Sequence, residues 1–139
     1  MHTTLLISHI VVACAVLALF AFALWRSFSG IAAKGGWLPA DEKARRFLPV
    51  ALDIALVLGV ALWATLSPSP RAAFLPGAPA DLFFKAAIHP VASLLAITIV
   101  HVGSVKTREQ KTPRDKFRTM GLFYAIALLC LAAQAGFRG

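Results

Sequence analysis

Charged residues are scarce in this sequence, and acidic ones are the scarcest. They make up 14% of the 139 residues, against about 25% in soluble domains, and only six are Asp or Glu. The two cysteines, Cys14 and Cys130, form no CxxC-type spacing, so we expect small apolar side chains and no metal site. The sequence also has no nucleotide motif, catalytic triad, zinc signature or phosphate loop. These absences exclude the soluble enzyme classes that such motifs define.

Apolar residues take the place of charge, at 59% of the chain, and they form four long runs. Crossing about 30 Å of hydrocarbon needs about 20 residues, and each run is long enough. The runs lie at about 5–25, 47–66, 82–105 and 120–137. The first lacks the basic start of a signal peptide, so we interpret it as a retained helix. The sequence predicts one all-α domain over residues 1–139, an integral membrane four-helix bundle of up-down-up-down order.

The distribution of basic residues predicts the orientation of this bundle. Eleven of the fourteen Lys and Arg residues lie in or next to the first and third connections. The positive-inside rule puts both connections in the cytoplasm and both termini outside it, in a bacterial-type inner (plasma) membrane. Basic loops beside anionic lipid also explain the net charge of +8, so no nucleic-acid partner is expected.

Two prolines in the first half suggest how the second helix begins. Pro39 precedes Ala40-Asp41-Glu42, which predicts a short surface helix before the second span. Pro49 is expected in the first turn of that span, where its missing N–H costs nothing.

Polar residues inside the apolar runs fall into two layers. The outer layer is expected to hold His9, Lys85, His89 and Gln134. The cytoplasmic layer is expected to hold a polar cluster of Asp53, His101, Arg26 and Arg46. An ionisable group in a membrane span costs a few kcal/mol, so it normally faces the bundle interior and marks a site. Asp53 therefore needs a partner, and Arg26, Arg46 and His101 are the candidates, with the two arginines favoured.

His9 and His89 are the candidate metal ligands, because neutral imidazole is a common axial ligand of haem iron. Bundle cores are where such cofactors sit. Pro90 follows His89 and removes a helical hydrogen bond, which opens the helix locally. Lys85 lies one turn before His89 and is the candidate partner for a haem propionate. The alternative is that the histidines bind neighbouring helices and that Lys85 reaches outward to water.

The stretch RFLPVALD at residues 46–53 resembles the Arg-x-x-Pro-His-x-x-Asp entry to helix two of SirB-like small membrane proteins. That family also has a helix-one histidine, a lysine opening helix three and a basic Thr-Pro-Arg loop, matched by His9, Lys85 and residues 111–114. Val50 stands where the family pattern has histidine.

The same histidine and lysine are similar to those of the HemJ type of protoporphyrinogen oxidase, a haem-binding tetraspan protein. That resemblance implies His9 as a haem ligand and Lys85 as a partner for a porphyrin carboxylate. The Asn-Glu-x-Pro motif of the last helix is absent here, so we do not transfer the oxidase activity.

Three functions remain open at this stage, and the sequence does not decide whether the protein is an enzyme. One is a haem b protein that exchanges electrons with quinone. Another is a non-catalytic accessory or assembly subunit of a larger membrane complex. A third is a small transporter with Asp53 and His101 as a proton relay. The expected partners are the lipid bilayer and either another membrane protein or a quinone.

Overall fold

The computed structural model describes residues 2–65 and 69–133, and these contain helices and turns but no strand. The first two long helices are α1 (His2–Ala32) and α2 (Pro39–Ala64). A short 3₁₀ turn (Pro70–Phe74) precedes the third span, which consists of α3 (Ala80–Phe83), a π-helical turn (Phe84–Ile88) and α4 (His89–Glu109). The last helix is α5 (Pro113–Ala133).

Four helical segments in the described part of the chain are long and apolar enough to cross a membrane, as predicted. They have 31, 26, 30 and 21 residues, the third running from α3 through α4. Large apolar side chains cover their outer faces: Val11, Val57 and Leu129 are each more than 60% exposed. An amphipathic soluble helix would turn such residues toward the core. The fold is therefore all-α, and its surface suits a lipid environment.

The helices extend well beyond the apolar runs at one end. α2 begins at Pro39, so the short helix predicted at 40–42 is the first turn of α2 itself, and Asp41 within it is buried and not at the surface. Asp41 fixes this start, because its carboxylate accepts the Leu38 N–H at 2.8 Å. Pro49 consequently lies inside α2 and not in its first turn. The predicted end of the fourth helix and Gln134 lie outside the described residues.

The four long helices form a ring in which each packs on two others. α1 contacts α2 and α5, and α4 contacts the same two helices, so α1 lies opposite α4. Glycines allow close approach: a Cβ at Gly30 would overlap the Phe117 ring, and one at Gly103 would overlap Phe123. The buried core between the helices is made largely of Val16, Phe20, Leu48, Leu52, Val100, Phe117, Met120 and Tyr124.

Two ends of the bundle can be distinguished by their residues. The basic end carries the connections at 33–38 and 110–112, and Gly30 meets Phe117 there. The histidine end carries His9, which packs on Gly59 near the end of α2, and His89 at the start of α4. Because the start of α1 meets the end of α2, these neighbouring helices run antiparallel.

Candidate functional site

A buried ion pair joins α1 to α2 at the basic end. Nε and Nη2 of Arg26 donate to the two carboxylate oxygens of Asp41 at 2.7 and 2.9 Å. The Asp41 side chain is fully buried, and the Arg26 guanidinium also lies 5.5 Å from the centre of the Phe117 ring. The pairing is bidentate, through the Nε–Nη2 edge of the guanidinium, so Arg26 holds the two helices together.

Glu42 accepts several hydrogen bonds at the basic end. Its carboxylate accepts from Nε and Nη2 of Arg45, at 3.1 and 2.5 Å, and from Nε of Arg46 at 2.9 Å. The indole N–H of Trp37 adds a further bond at 3.3 Å. The partner of Arg46 is thus Glu42, one turn earlier on α2.

Pro49 creates a polar junction of three helices. A proline has no N–H, so the carbonyl of Arg45 loses its partner within α2. The Ser104 hydroxyl of α4 donates to that carbonyl at 3.0 Å, and the Tyr124 hydroxyl of α5 donates at 3.3 Å. The Arg45 guanidinium in turn donates to the hydroxyl and carbonyl oxygens of Ser104, at 2.9 and 3.1 Å. Ser104 thus binds both the buried guanidinium of Arg45 and the backbone carbonyl that Pro49 leaves without a donor.

Asp53 pairs with His101, the third of its three candidate partners. Oδ1 of Asp53 lies 2.9 Å from Nε2 of His101. The favoured pairing of Asp53 with Arg26 or Arg46 is wrong, because those arginines bind Asp41 and Glu42. The polar cluster predicted from the sequence is therefore divided into separate pairs.

The Asp53–His101 pair is half exposed, with 49% and 48% of the two side chains accessible. Its neighbours along α2 and α4 include exposed Ile54, Val57 and Val102. The pair is thus a polar spot on an otherwise apolar outer surface.

The two histidines proposed as metal ligands come together at the histidine end. The ring centroids of His9 and His89 are 6.3 Å apart, and the ring planes are nearly perpendicular at 82°. Gly59 makes room for His9: a Cβ there would lie 3.4 Å from Cε1 of the imidazole. Nδ1 of His9 is buried and has no hydrogen-bond partner among the described residues. Buried polar atoms are normally satisfied, so this nitrogen is unusual.

Pro90 disrupts the third span just before this histidine pair, as the sequence suggested. It cannot donate to the carbonyl of Ala86, and the segment Phe84–Ile88 forms a π-helical turn. The indole N–H of Trp63, on α2, donates to the Ala86 carbonyl at 3.0 Å. The freed carbonyl is thus bound by a neighbouring helix. Single π turns of this kind occur frequently at functional sites.

Lys85 lies at the start of the third span and faces outward. Its side chain is 57% exposed, and its ammonium lies 3.1 Å from a carboxylate oxygen of Asp81, one turn earlier. No described contact joins it to His9 or His89. The outward orientation is the one expected of a lysine that reaches water from the edge of a membrane span.

The donor set at the histidine end consists of two imidazoles. Within residues 2–65 and 69–133, no group of three or more His, Cys, Asp or Glu side chains converges on a point. A structural zinc site uses four such ligands, whereas a haem iron takes one or two axial ligands from the protein. Of the two chemistries, the pair fits the second.

Sequence reasoning missed the residues that organise the basic end. The sequence alone predicts no role for Arg45, Ser104 or Tyr124, and for Asp41 it predicts only a place in a helix start. One usable signal was Pro49 inside an apolar run, since it identifies the carbonyl four residues earlier as one that needs an outside donor. The other was the acidic Asp41 two residues after Pro39, which is a helix start signal.

Together, the four long apolar helices indicate a multi-pass helical membrane protein. Comparison with family models, with curated proteins and with solved structures gives no match for this chain. The resemblances to SirB-like proteins and to the HemJ type of oxidase therefore stay predictions from short motifs. The function has to be argued from the side chains.

Proposed function

We propose that this chain is a haem b protein of a bacterial-type inner (plasma) membrane, with His9 and His89 as the axial iron ligands. The distance between the imidazoles carries the proposal. Metal–nitrogen bonds are about 2 Å long, so two imidazoles on opposite sides of one iron have ring centres about 6 Å apart. The observed separation is 6.3 Å.

The surroundings of the two rings support this assignment. His9 and His89 belong to α1 and α4, which lie on opposite sides of the ring of helices, as expected of ligands in a bundle core. The His9 ring packs directly over Gly59, and its buried Nδ1 has no hydrogen-bond partner among the described residues. Bound haem would supply one-electron transfer, with a quinone as the candidate lipid-soluble partner.

Lys85 is assigned a secondary role, as the partner of a haem propionate near the membrane surface. Its ammonium is shared with Asp81, so binding a propionate requires exchange of one carboxylate for another. We therefore expect Lys85→Gln to weaken haem binding much less than loss of either imidazole.

The absorption spectrum of the purified protein tests the haem assignment. We expect a Soret band after expression in haem-replete cells and purification in a mild detergent. His9→Ala and His89→Ala should each abolish the band or change the ligation that it reports. His101→Ala is the matched control, because it removes an imidazole of the same chain that lies at another site, and it should leave the spectrum intact. A colourless wild-type protein would contradict the assignment.

The proposed orientation puts the basic end in the cytoplasm and both termini outside it. It rests on the concentration of eleven basic residues at that end. Reporter fusions at Gly35 and Lys111 should report the cytoplasm, and a fusion at Pro76 should report the outside. A cytoplasmic signal at Pro76 would reverse the orientation.

A second candidate function, an accessory subunit of a membrane complex, is supported by the Asp53–His101 pair. The pair is half exposed within an apolar surface, and polar groups facing lipid are costly. A partner helix that covered the α2–α4 face would remove that cost.

Photocross-linking tests the accessory function. A photoreactive residue at Val57 or Val102, beside the pair, should give a discrete adduct whose mass identifies a partner or a second copy. The same residue at Leu129, exposed on α5, is the control and should give none. Adducts of equal yield at all three positions, or no adduct at any, would contradict this function.

A further inference from the structure

A groove between α1 and α5 lies toward the basic end, and its lining includes neither the His9–His89 pair nor the Asp53–His101 pair. It is open to the outside and has a volume of about 450 Å³, and its lining includes Ser27, Phe28 and Ile31 of α1 and Arg118, Leu122 and Ala125 of α5. Gly121 brings the helices together at its floor, since a Cβ there would lie 3.0 Å from Cβ of Ser27. The volume is within the range of about 300–1,000 Å³ usual for small-molecule sites.

The groove walls are apolar and face outward. Phe28 and Leu122 are 64% and 60% exposed, so their side chains stand beside the groove with most of their surface uncovered. On α5, positions 118, 122 and 125 are separated by four and three residues, so their side chains share one face of the helix. Leu129, one turn further on, continues this apolar track toward the middle of the membrane span.

Arg118 begins the track with a positive charge. It is exposed, and within the described part of the chain it makes no ion pair or hydrogen bond, in contrast with Arg26, Arg45 and Arg46. Arg114, one turn earlier on the same helix, is likewise exposed and unpaired there. The groove thus combines a guanidinium that lacks a carboxylate with an apolar channel that leads away from it.

We propose that the α1–α5 groove binds an anionic phospholipid, with its phosphate on Arg118 and an acyl chain along Leu122 and Ala125. Arginine binds phosphate through charge-assisted, often bidentate hydrogen bonds. Basic sites between membrane helices are suited to anionic headgroups. The apolar track selects a lipid over a free phosphate, because only a lipid fills both parts of the groove. This inference does not depend on the haem assignment.

Native mass spectrometry of the detergent-purified full chain tests the proposal, with phosphatidylglycerol and phosphatidylcholine of equal acyl length as probes. We expect phosphatidylglycerol to be retained in preference to phosphatidylcholine. Arg118→Gln should reduce its apparent affinity about tenfold, the effect of losing one hydrogen bond to a charged group. Ala125→Trp should also reduce it, by filling the groove without changing charge.

Arg46→Gln is the matched control. It removes the same charge at the same end from an arginine that already binds Glu42, and it should leave lipid retention unchanged. Circular dichroism shows whether each variant keeps its helices; if Ala125→Trp does not, Ala125→Leu replaces it. If Arg46→Gln lost as much phosphatidylglycerol affinity as Arg118→Gln, the proposal would be overturned. Normal retention of phosphatidylglycerol by the variant with the filled groove would overturn it as well. So would displacement of the lipid by millimolar inorganic phosphate, or a dimer mass in place of the lipid adduct.

Discussion

The two ends of the bundle use a proline in the same way but differ in how their polar groups are satisfied. Pro49 at the basic end frees the Arg45 carbonyl, and Pro90 at the histidine end frees the Ala86 carbonyl. In both places a side chain of another helix donates to the freed oxygen, Tyr124 and Ser104 in one case and Trp63 in the other. The backbone at both ends is therefore satisfied by tertiary contacts.

The difference lies in the ionisable side chains. At the basic end, the buried charges of Asp41 and Arg45 both have charged and neutral partners. At the histidine end, the ionisable side chain of His9 has a buried nitrogen with no partner among the described residues; the other such atom belongs to a neutral group, the hydroxyl of Thr107 at the basic end. Groups that satisfy each other hold helices together, whereas an unsatisfied buried ionisable group is a candidate for binding something else. This contrast is why we assign structure to one end and ligand binding to the other.

The largest effect on stability is expected from Asp41→Ala. It leaves the Arg26 guanidinium without its carboxylate in a largely buried place, and breaking a buried pair costs about 3–5 kcal/mol. The measurement is the free energy of unfolding in mixed micelles.

Arg46→Ala provides the comparison for that variant. Its pair with Glu42 is 70% exposed on the arginine side, so its loss should cost less than about 1 kcal/mol. Equal costs for the two variants would mean that the buried pair does not hold the basic end.

Gly30→Ala should have an intermediate effect. The added methyl group overlaps the fully buried Phe117 ring, and such overpacking costs about 1–3 kcal/mol. Gly36→Ala is the control, since nothing lies within 4 Å of a Cβ at Gly36. If both variants unfolded alike, the close contact of α1 with α5 would be unimportant for stability.

A double-mutant cycle tests the proline junction. Tyr124→Phe removes a donor from the Arg45 carbonyl and should cost about 1 kcal/mol. In a Pro49→Ala background the restored N–H supplies that donor, so Tyr124→Phe should cost markedly less. Trp63→Phe with Pro90→Ala is the equivalent cycle at the histidine end. Additive effects in both cycles would show that these hydroxyl and indole groups do not compensate for the prolines.

The smallest effect on stability is expected from His9→Phe. Replacing an unsatisfied buried polar group by an apolar one of similar shape should change the unfolding free energy by less than about 1 kcal/mol, or even raise it. The measurement is the unfolding free energy of the ligand-free His9→Phe variant compared with that of the ligand-free wild-type protein. A loss comparable to that of Asp41→Ala would mean that His9 is a structural residue.

The sequence was sufficient for the four spans, because hydrophobic length is a local property. It was insufficient for the helix ends at the basic end, where α2 begins at Pro39 through the contacts of Asp41 and not through apolar residues. The sequence placed His9 and His89 in one layer, because both lie near the starts of the first and third spans, which run in the same direction. It could not choose the partner of Asp53, because that choice depends on which helix residues lie at the same depth. Arg26 lies beside Asp41, twelve residues and about 18 Å earlier along α2, and Arg46 binds Glu42.

The central claim is that the histidine end binds haem and the basic end does not. Unfolding of the ligand-free protein with and without added haemin tests it most directly. Haemin at about 100 times its dissociation constant should raise the unfolding free energy of the wild-type protein by about 2.7 kcal/mol. The rise should vanish in His9→Phe and persist in Asp53→Asn and His101→Ala. No rise in the wild type, or an equal rise in His9→Phe, would contradict the account.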